Sequence, residues 1–322
     1  MVVHLGSLTP LQALGIPVAL VGSVLLALGA EFQHRGVRRS ARPEGTSRLA
    51  RLLALVRDRT WLLGTLLLAA AIPFQLLSLF LAPLTVVQPL GAAALVVSAL
   101  LNARAFPGRT DRRLVRAVAL CVLGVGLFVA VAALTTTSRP VRDPQLLAVL
   151  GVLVVVLAVL APVVALARRR LPPIALIAGA GVLFGFVGSL TKVVLDRLHT
   201  IWALGTGLTS TDWLTAVCVI GMGAAGGLGA VLVQTAYASG PPHLVVAGLT
   251  VIDPLVGVTL GVVVLGEAAQ APWWAPIVFV VTGAIAVAGV VQLARHPMQA
   301  AAIEERTREQ PAATESGAPF QR

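Results

Sequence analysis

The residue whose position most demands a chemical reason is Asp253, inside the apolar stretch "LVVAGLTVIDPLVGVTLGVVVLGE" (244–267). A carboxylate is expensive in hydrocarbon, so intramembrane acids face the interior of a bundle or a wet cavity. There, a carboxylate can take a cation or exchange a proton, which makes Asp253 the candidate metal-ligating residue. Thr250, Gly257 and Gly261 share its helical face and form a small stripe, flanked by the bulkier Leu249 and Val256. Such a stripe lets a partner helix or a substrate approach the backbone. A competing reading is local: Asp followed by Pro starts a helix well, with Asp253 as N-cap and Pro254 at the first helical position. The span would then be broken at this point, and broken helices themselves build transporter sites.

Four more polar residues are candidates for the same pathway: Gln75, Gln88, Gln234 and Lys192. Gln234 continues the small face Gly223–Gly227–Ala230, which predicts that it points inward. Gln88 lies with Thr85 and Gly91. Any one glutamine is accounted for by an interhelical hydrogen bond worth under ~2 kcal/mol, whereas together they suggest a polar cavity. Lys192, the only lysine, follows the ladder Gly181–Gly185–Gly188/Ser189, with Asp196 one turn later. Its place near a span end predicts snorkelling to water beside an exposed Asp196. In a cavity it would instead attract an anion or gate access. Glu31 and Arg35 are one turn apart and predict an interfacial ion pair; Glu267 closes its span and reads as structural.

The histidines (His4, His34, His199, His243 and His296) lie outside the apolar runs or at their edges. No HExxH, Walker lysine or GxSxG is present, so the chain does not read as an enzyme. Cys121 and Cys218 both fall inside apolar runs, which argues against a disulfide or thiolate–metal site. No cofactor is expected; Mg²⁺ or H⁺ would enter only as a transported or coupling ion.

The elements that must hold these residues are transmembrane helices. The 322 residues are 57% hydrophobic and 11% charged, against about a quarter charged in soluble domains. The excess comes in continuous runs of about 20 residues, the span of a hydrocarbon core, which specifies helices rather than a barrel. Nine spans are predicted: 11–31, 61–82, 84–104, 114–134, 146–166, 172–194, 213–236, 243–266 and 274–294. The first lacks a basic leader and a cleavage site, so it reads as a retained anchor. Arginines cluster after span 1 (Arg35, Arg38, Arg39, Arg42), after span 3 (Arg109, Arg112, Arg113) and after span 5 (Arg168, Arg169, Arg170). The opposite side keeps only Arg139, Arg142, Lys192 and Arg197, so the N-terminus is predicted outside and the C-terminus in the cytoplasm. The net charge of +11 then belongs to loops facing anionic lipid, not to a nucleic-acid surface. Lysine-poor, Ala-, Val- and Gly-rich composition suits a GC-rich bacterium and its plasma membrane.

The chain repeats itself. "VGSVLLALGAEFQ" (21–33) aligns with "AGVLFGFVGSLTK" (180–192), and the same shift carries Gln75 onto Gln234. After six inserted residues, "VVQPLGAAALVVSALLN" (86–102) aligns with "VIDPLVGVTLGVVVLGE" (251–267), placing Gln88 on Asp253. Spans 1–4 therefore resemble spans 6–9 across an odd number of crossings, an inverted repeat of the secondary-transporter kind. The predicted organisation is a short outer N-terminus (1–10), a first membrane repeat (11–135) with a basic cytoplasmic loop (34–60), a linking helix 5 (136–171), a second membrane repeat (172–294) and a disordered cytoplasmic tail (295–322). Within the loop, "SRLARLLALVRDR" has the spacing of an amphipathic helix lying on the inner leaflet.

Two resemblances rest on particular stretches. "LFLAPLTVVQPLGAAALVVSALL" (79–101), with Ala-Pro followed by Pro-Leu-Gly, and the preceding "RTWLLG" (59–64) resemble NIPA-type magnesium transporters. "QTAYASGPPHLVVAGLTVIDPLVGVTLGVVVLGE" (234–267), with its central Pro and closing Gly-Glu, is similar to EamA-type members of the drug/metabolite transporter (DMT) superfamily, to which NIPA proteins belong. The resemblance implies an all-α integral membrane fold and secondary active transport of small molecules or ions by alternating access. A NIPA-like Mg²⁺ transporter is the more specific alternative. A lipid or drug exporter and a non-transporting scaffold docking through the 34–60 loop are others. Expected partners are membrane lipids and the substrate, without nucleic acid; a homodimer is compatible with the sequence.

The orientation yields a direct test. Green fluorescent protein fused after Arg295 should fluoresce and alkaline phosphatase fused there should stay inactive; the reverse pattern would reject a cytoplasmic C-terminus.

Overall fold

The computed structural model describes residues 8–40, 56–105, 112–137, 141–167, 171–204, 212–239 and 242–295. The described chain is helical: α1 Pro10–Ala13, α2 Gly15–Ser40, α3 Arg59–Leu81, α4 Leu84–Leu90, α5 Ala93–Ala105, α6 Arg112–Thr135, α7 Asp143–Ala167, α8 Pro173–Leu204, α9 Asp212–Ser239, α10 Pro242–Thr259 and α11 Ala275–Ala294. Nine stretches among the described residues are long and apolar enough to cross a membrane, and they coincide with the nine predicted spans within a few residues at most edges. The tail and most of the amphipathic segment of the basic loop fall outside the described residues. The expected Glu31–Arg35 pair is present, Nε to Oε1 at 2.9 Å, and Cys121 and Cys218 are free and buried.

Helix pairing follows from small residues. Gly15, Gly22, Gly29 and Gly36 recur every seven residues along α2 and all face α3, opposite Ala82, Phe74, Gly64 with Leu68, and Trp61 in turn. A seven-residue repeat keeps one seam against a partner helix over its whole length. Without a hydrophobic drive between helices in lipid, close backbone approach supplies the attraction. On α6 and α11, Gly124 meets the backbone of Ala286 and Gly289 that of Cys121. On α8, Gly181 and Gly185 receive Ile252 and Val256 of α10.

The pairings recur between the halves. Helix α2 packs on α3 as α8 packs on α9, and α6 and α11, the last helices of the two proposed repeats, pack on one another. This is consistent with the inverted repeat. The halves differ at span 3, which is two helices rather than one. Proline 89 sits in α4, and the chain turns at Gly91 and Ala92 before α5 begins. The Leu90 carbonyl, released by that break, accepts a bond from Ser23 Oγ of α2 at 3.1 Å. This meets the requirement that every backbone polar group in lipid find an internal partner.

Span 8 corrects one of the two readings of Asp253. Helix α10 runs without interruption from Pro242 to Thr259 with Pro254 inside it, so Asp253 does not start a helix. The irregularity comes later, as a wide π-type turn over Leu260–Val264.

A methyl at Gly64 would lie 2.8 Å from the Gly29 carbonyl and clash with the Gln33 backbone, whereas Gly126 has nothing within 4 Å. Gly64→Ala should therefore lower stability by roughly 1–3 kcal/mol and Gly126→Ala should not. Thermal unfolding in detergent checks this, and equal effects at the two glycines would contradict the packing.

Candidate functional site

Three helices converge in the interior: α8 and α10, side by side and parallel, and the short α4 running against them. Their contacts fall into three layers. In the first, Gly181 and Gly185 of α8 lie against Ile252, Asp253 and Val256 of α10. In the second, the Gln88 side chain of α4 is wedged between Gly188 of α8 and Gly257 of α10; a Cβ at either glycine would overlap the carboxamide, at Gly257 lying 2.6 Å from Nε2. In the third are Lys192 of α8, Thr85 of α4, Gly261 and Glu267.

Glu267 is the residue whose role sequence reading underestimated. It is buried, 5% exposed, and its carboxylate accepts three bonds from the start of α4: Leu84 N at 2.6 Å, Thr85 N at 2.8 Å and Thr85 Oγ1 at 2.6 Å. The residue preceding α4 is Pro83, which offers no side-chain cap. A helix N-terminus leaves unsatisfied N–H groups and favours negative charge. Glu267 supplies both from a distant part of the chain. The π-type turn and Gly266, in the left-handed region at φ 70°, bring it there. Its N–H donates to the Gly261 carbonyl at 3.0 Å, and its own carbonyl accepts from Thr137 N at 3.0 Å. Gly261 leaves the space: a Cβ there would lie 2.8 Å from Glu267 Oε2 and 2.9 Å from Thr85 Oγ1.

Lys192 does not snorkel. It is 1% exposed, and its ammonium lies 3.2 Å from Asp196 Oδ1 on the same helix. Asp196 is itself mostly buried, with its side chain 13% exposed. The reason is phase along the helix: Gly181, Gly185, Gly188 and Lys192 follow one another at steps of four, three and four. Since the glycines face α10 and α4, the lysine must as well. A second ion pair, Arg197 to Asp143 at 2.6 Å, ties the same end of α8 to the start of α7.

Asp253 is only half buried as a residue, but its Oδ1 is shut away from solvent and has no hydrogen-bond partner. Thr250, one turn before it, donates back to the Val246 carbonyl of its own helix at 2.8 Å. It lines an apolar recess with Pro89, Val125 and Val251 rather than the Gln88 layer. Gln75 and Gln234 are exposed, which corrects the inward placement of Gln234. Leu232, Ala225 and Ala236 carry the buried face of α9 toward α8, and Gly223, Gly227 and Gln234 lie on the opposite side, with nothing within 4 Å of either glycine. The structure thus gathers Gln88 and Lys192 along α8 with Asp253 beyond them, and leaves Gln75, Gln234 and Thr250 apart. Among the described residues, no three His, Cys, Asp or Glu side chains gather as a metal cage.

The family model described as magnesium transporter NIPA matches residues 11–196. The chain belongs to the NIPA magnesium transporter family. That family lies within the EamA/DMT-like superfamily and consists of transporters, not enzymes. An uncharacterized protein of Corynebacterium glutamicum is 26% identical over 291 residues, covering 88% of this chain and 95% of that protein. No solved structure matches. Together with the nine apolar helices, the family makes this chain a multi-pass membrane transporter.

In this NIPA-family chain the carboxylates of Asp253 and Glu267 differ in kind. Glu267→Ala orphans two backbone N–H groups and a hydroxyl, each costing about 1–3 kcal/mol when buried without a partner. It should lower stability by roughly 3 kcal/mol or more. Asp253→Asn removes the charge from a carboxylate whose enclosed Oδ1 has no hydrogen-bond partner, so stability should hold or rise. Thermal unfolding of both variants in detergent tests the contrast; equal losses would show that Asp253 also serves as a structural anchor.

Proposed function

We propose that this chain carries Mg²⁺ across a bacterial plasma membrane by alternating access, with its N-terminus outside, its C-terminus in the cytoplasm, and Asp253 on the ion's path. The observation that carries the proposal is the unpartnered, enclosed Asp253 Oδ1 in the middle of a membrane span of a magnesium-transporter family member. An intramembrane acid without a structural partner is a functional candidate by default.

The chemistry of the ion supports a sparse site. Mg²⁺ sheds water reluctantly and is held by one or two carboxylates with several waters retained. A single carboxylate on the path therefore suits a hydrated ion in transit better than a permanently bound one. Asp253 lies level with Gly181 and Gly185, on the seam where α8 and α10 pack. The inverted pairing of the helices supports rocking of one half against the other. Membrane lipid is the surrounding partner, and a proton remains a second ion that the same carboxylate can handle.

Purified protein in liposomes loaded with an Mg²⁺ indicator, with a pH indicator in parallel vesicles, tests this. Wild type should move Mg²⁺ and Asp253→Asn should slow it at least tenfold without loss of folded protein. Equal Mg²⁺ signals from wild type, variant and empty vesicles would reject the proposal. Proton flux evoked only by an added metabolite, and lost in the variant, would replace it with a proton-coupled DMT-type carrier.

A further inference from the structure

The three layers along α8 and α10 put Gln88 between two different kinds of charge. On one side is the carboxylate of Asp253; on the other are the Lys192–Asp196 pair and the Glu267 cap of α4. The Gln88 carboxamide fills the gap between Gly188 and Gly257 so closely that neither position can carry even a methyl without displacing it. Two glycines at one level on facing helices, with one long side chain between them, amount to a notch with a plug in it.

The plug is held from a distance. Gln88 makes no hydrogen bond to either glycine, so its place is set by the helix that bears it. That helix is only seven residues long and is bounded by the break at Gly91 on one side and Pro83 on the other. Its start is fixed by the three bonds to Glu267, and Gln88 lies one turn beyond Thr85. Its end is fixed by the Ser23 bond to the Leu90 carbonyl. Leu84, Val86, Val87 and Leu90 bury the rest of this helix in the core, so these ties and that packing together set where the Gln88 side chain stands.

We infer that Gln88 is the gate of the ion path: its carboxamide, positioned by the Glu267 cap on α4, closes the passage between the Asp253 level and the Lys192–Asp196–Glu267 level. The inference rests on the Mg²⁺-path reading of Asp253 and adds to it the residue that separates the two sides. A neutral amide suits the task. It fills the notch without holding a divalent cation as a carboxylate would, and its oxygen and N–H₂ can meet the ion's hydration waters as it passes.

Side-specific thiol labelling tests the gate without depending on transport. In a background with Cys121→Ala and Cys218→Ala, Asp253→Cys is treated with a charged, membrane-impermeant methanethiosulfonate in right-side-out and in inside-out vesicles. With Gln88 present, the thiol should react from one side only. With Gln88→Ala, reaction from the closed side should rise at least tenfold; Gln88→Asn, a shorter plug with less risk to folding, should give a smaller rise. Glu267→Gln, which weakens the cap while leaving Gln88 in the sequence, should also open the closed side. Reaction from both sides with Gln88 intact, unchanged one-sided reaction in all three variants, or no reaction anywhere would each overturn the gate. Any of these with wild-type Mg²⁺ flux intact would reject the gate alone, whereas absent Mg²⁺ flux rejects the reading on which it rests.

Discussion

The bond between the Glu267 carboxylate and the start of α4 is the interaction on which the interior depends. A membrane interior tolerates no orphaned backbone group, because no water is present to satisfy it. This chain nevertheless breaks its third span at both ends of a seven-residue helix. One break is covered by Ser23, a hydroxyl on a neighbouring helix. The other exposes two N–H groups behind a proline that cannot cap them, and only a group from elsewhere in the fold can answer. The π-type turn, the left-handed Gly266 and the vacated surface of Gly261 all bring Glu267 to that point.

Around this joint the rest of the molecule is built from close backbone contact. Helices α2 and α3, α6 and α11, and α8 and α10 meet at glycines that leave no room for a methyl. Any change within such a seam loses dispersion contacts that nothing else replaces, which makes each pair stiff. The polar groups sit where these pairs meet the short α4.

The burial of Lys192 shows how phase overrides position. Counted along the span, the lysine lies near one end and within reach of water. Counted around the helix, it falls on the glycine face that α10 and α4 occupy, and the packing of that face removes the route to solvent. The charge is then met inside, by Asp196 one turn on. Gln234 is the converse. Its small-residue face suggested a packed interior, but α9 turns that face away from α8 and packs through Ala225, Gly229, Leu232 and Ala236 instead.

The sequence by itself determined the nine spans, their apolar faces, the ion pair of Glu31 with Arg35 and the likeness to magnesium transporters. The spans and the ion pair follow from local composition and spacing, since lipid thickness sets span length and one helical turn sets the reach of a neighbour; the likeness rests on the motifs of 59–64 and 79–101. The seven-residue glycine ladder of α2 was there to be read, and so was the phase of Lys192 with Gly181, Gly185 and Gly188. Only the tertiary structure decided that Glu267 caps a helix 182 residues away in sequence, that Gln88 fills a notch between two other helices, and that Asp253 lies mid-helix rather than at a helix start. These depend on which groups arrive at the same place, and a partner brought from the far end of the chain leaves no periodic trace beside the residue it satisfies.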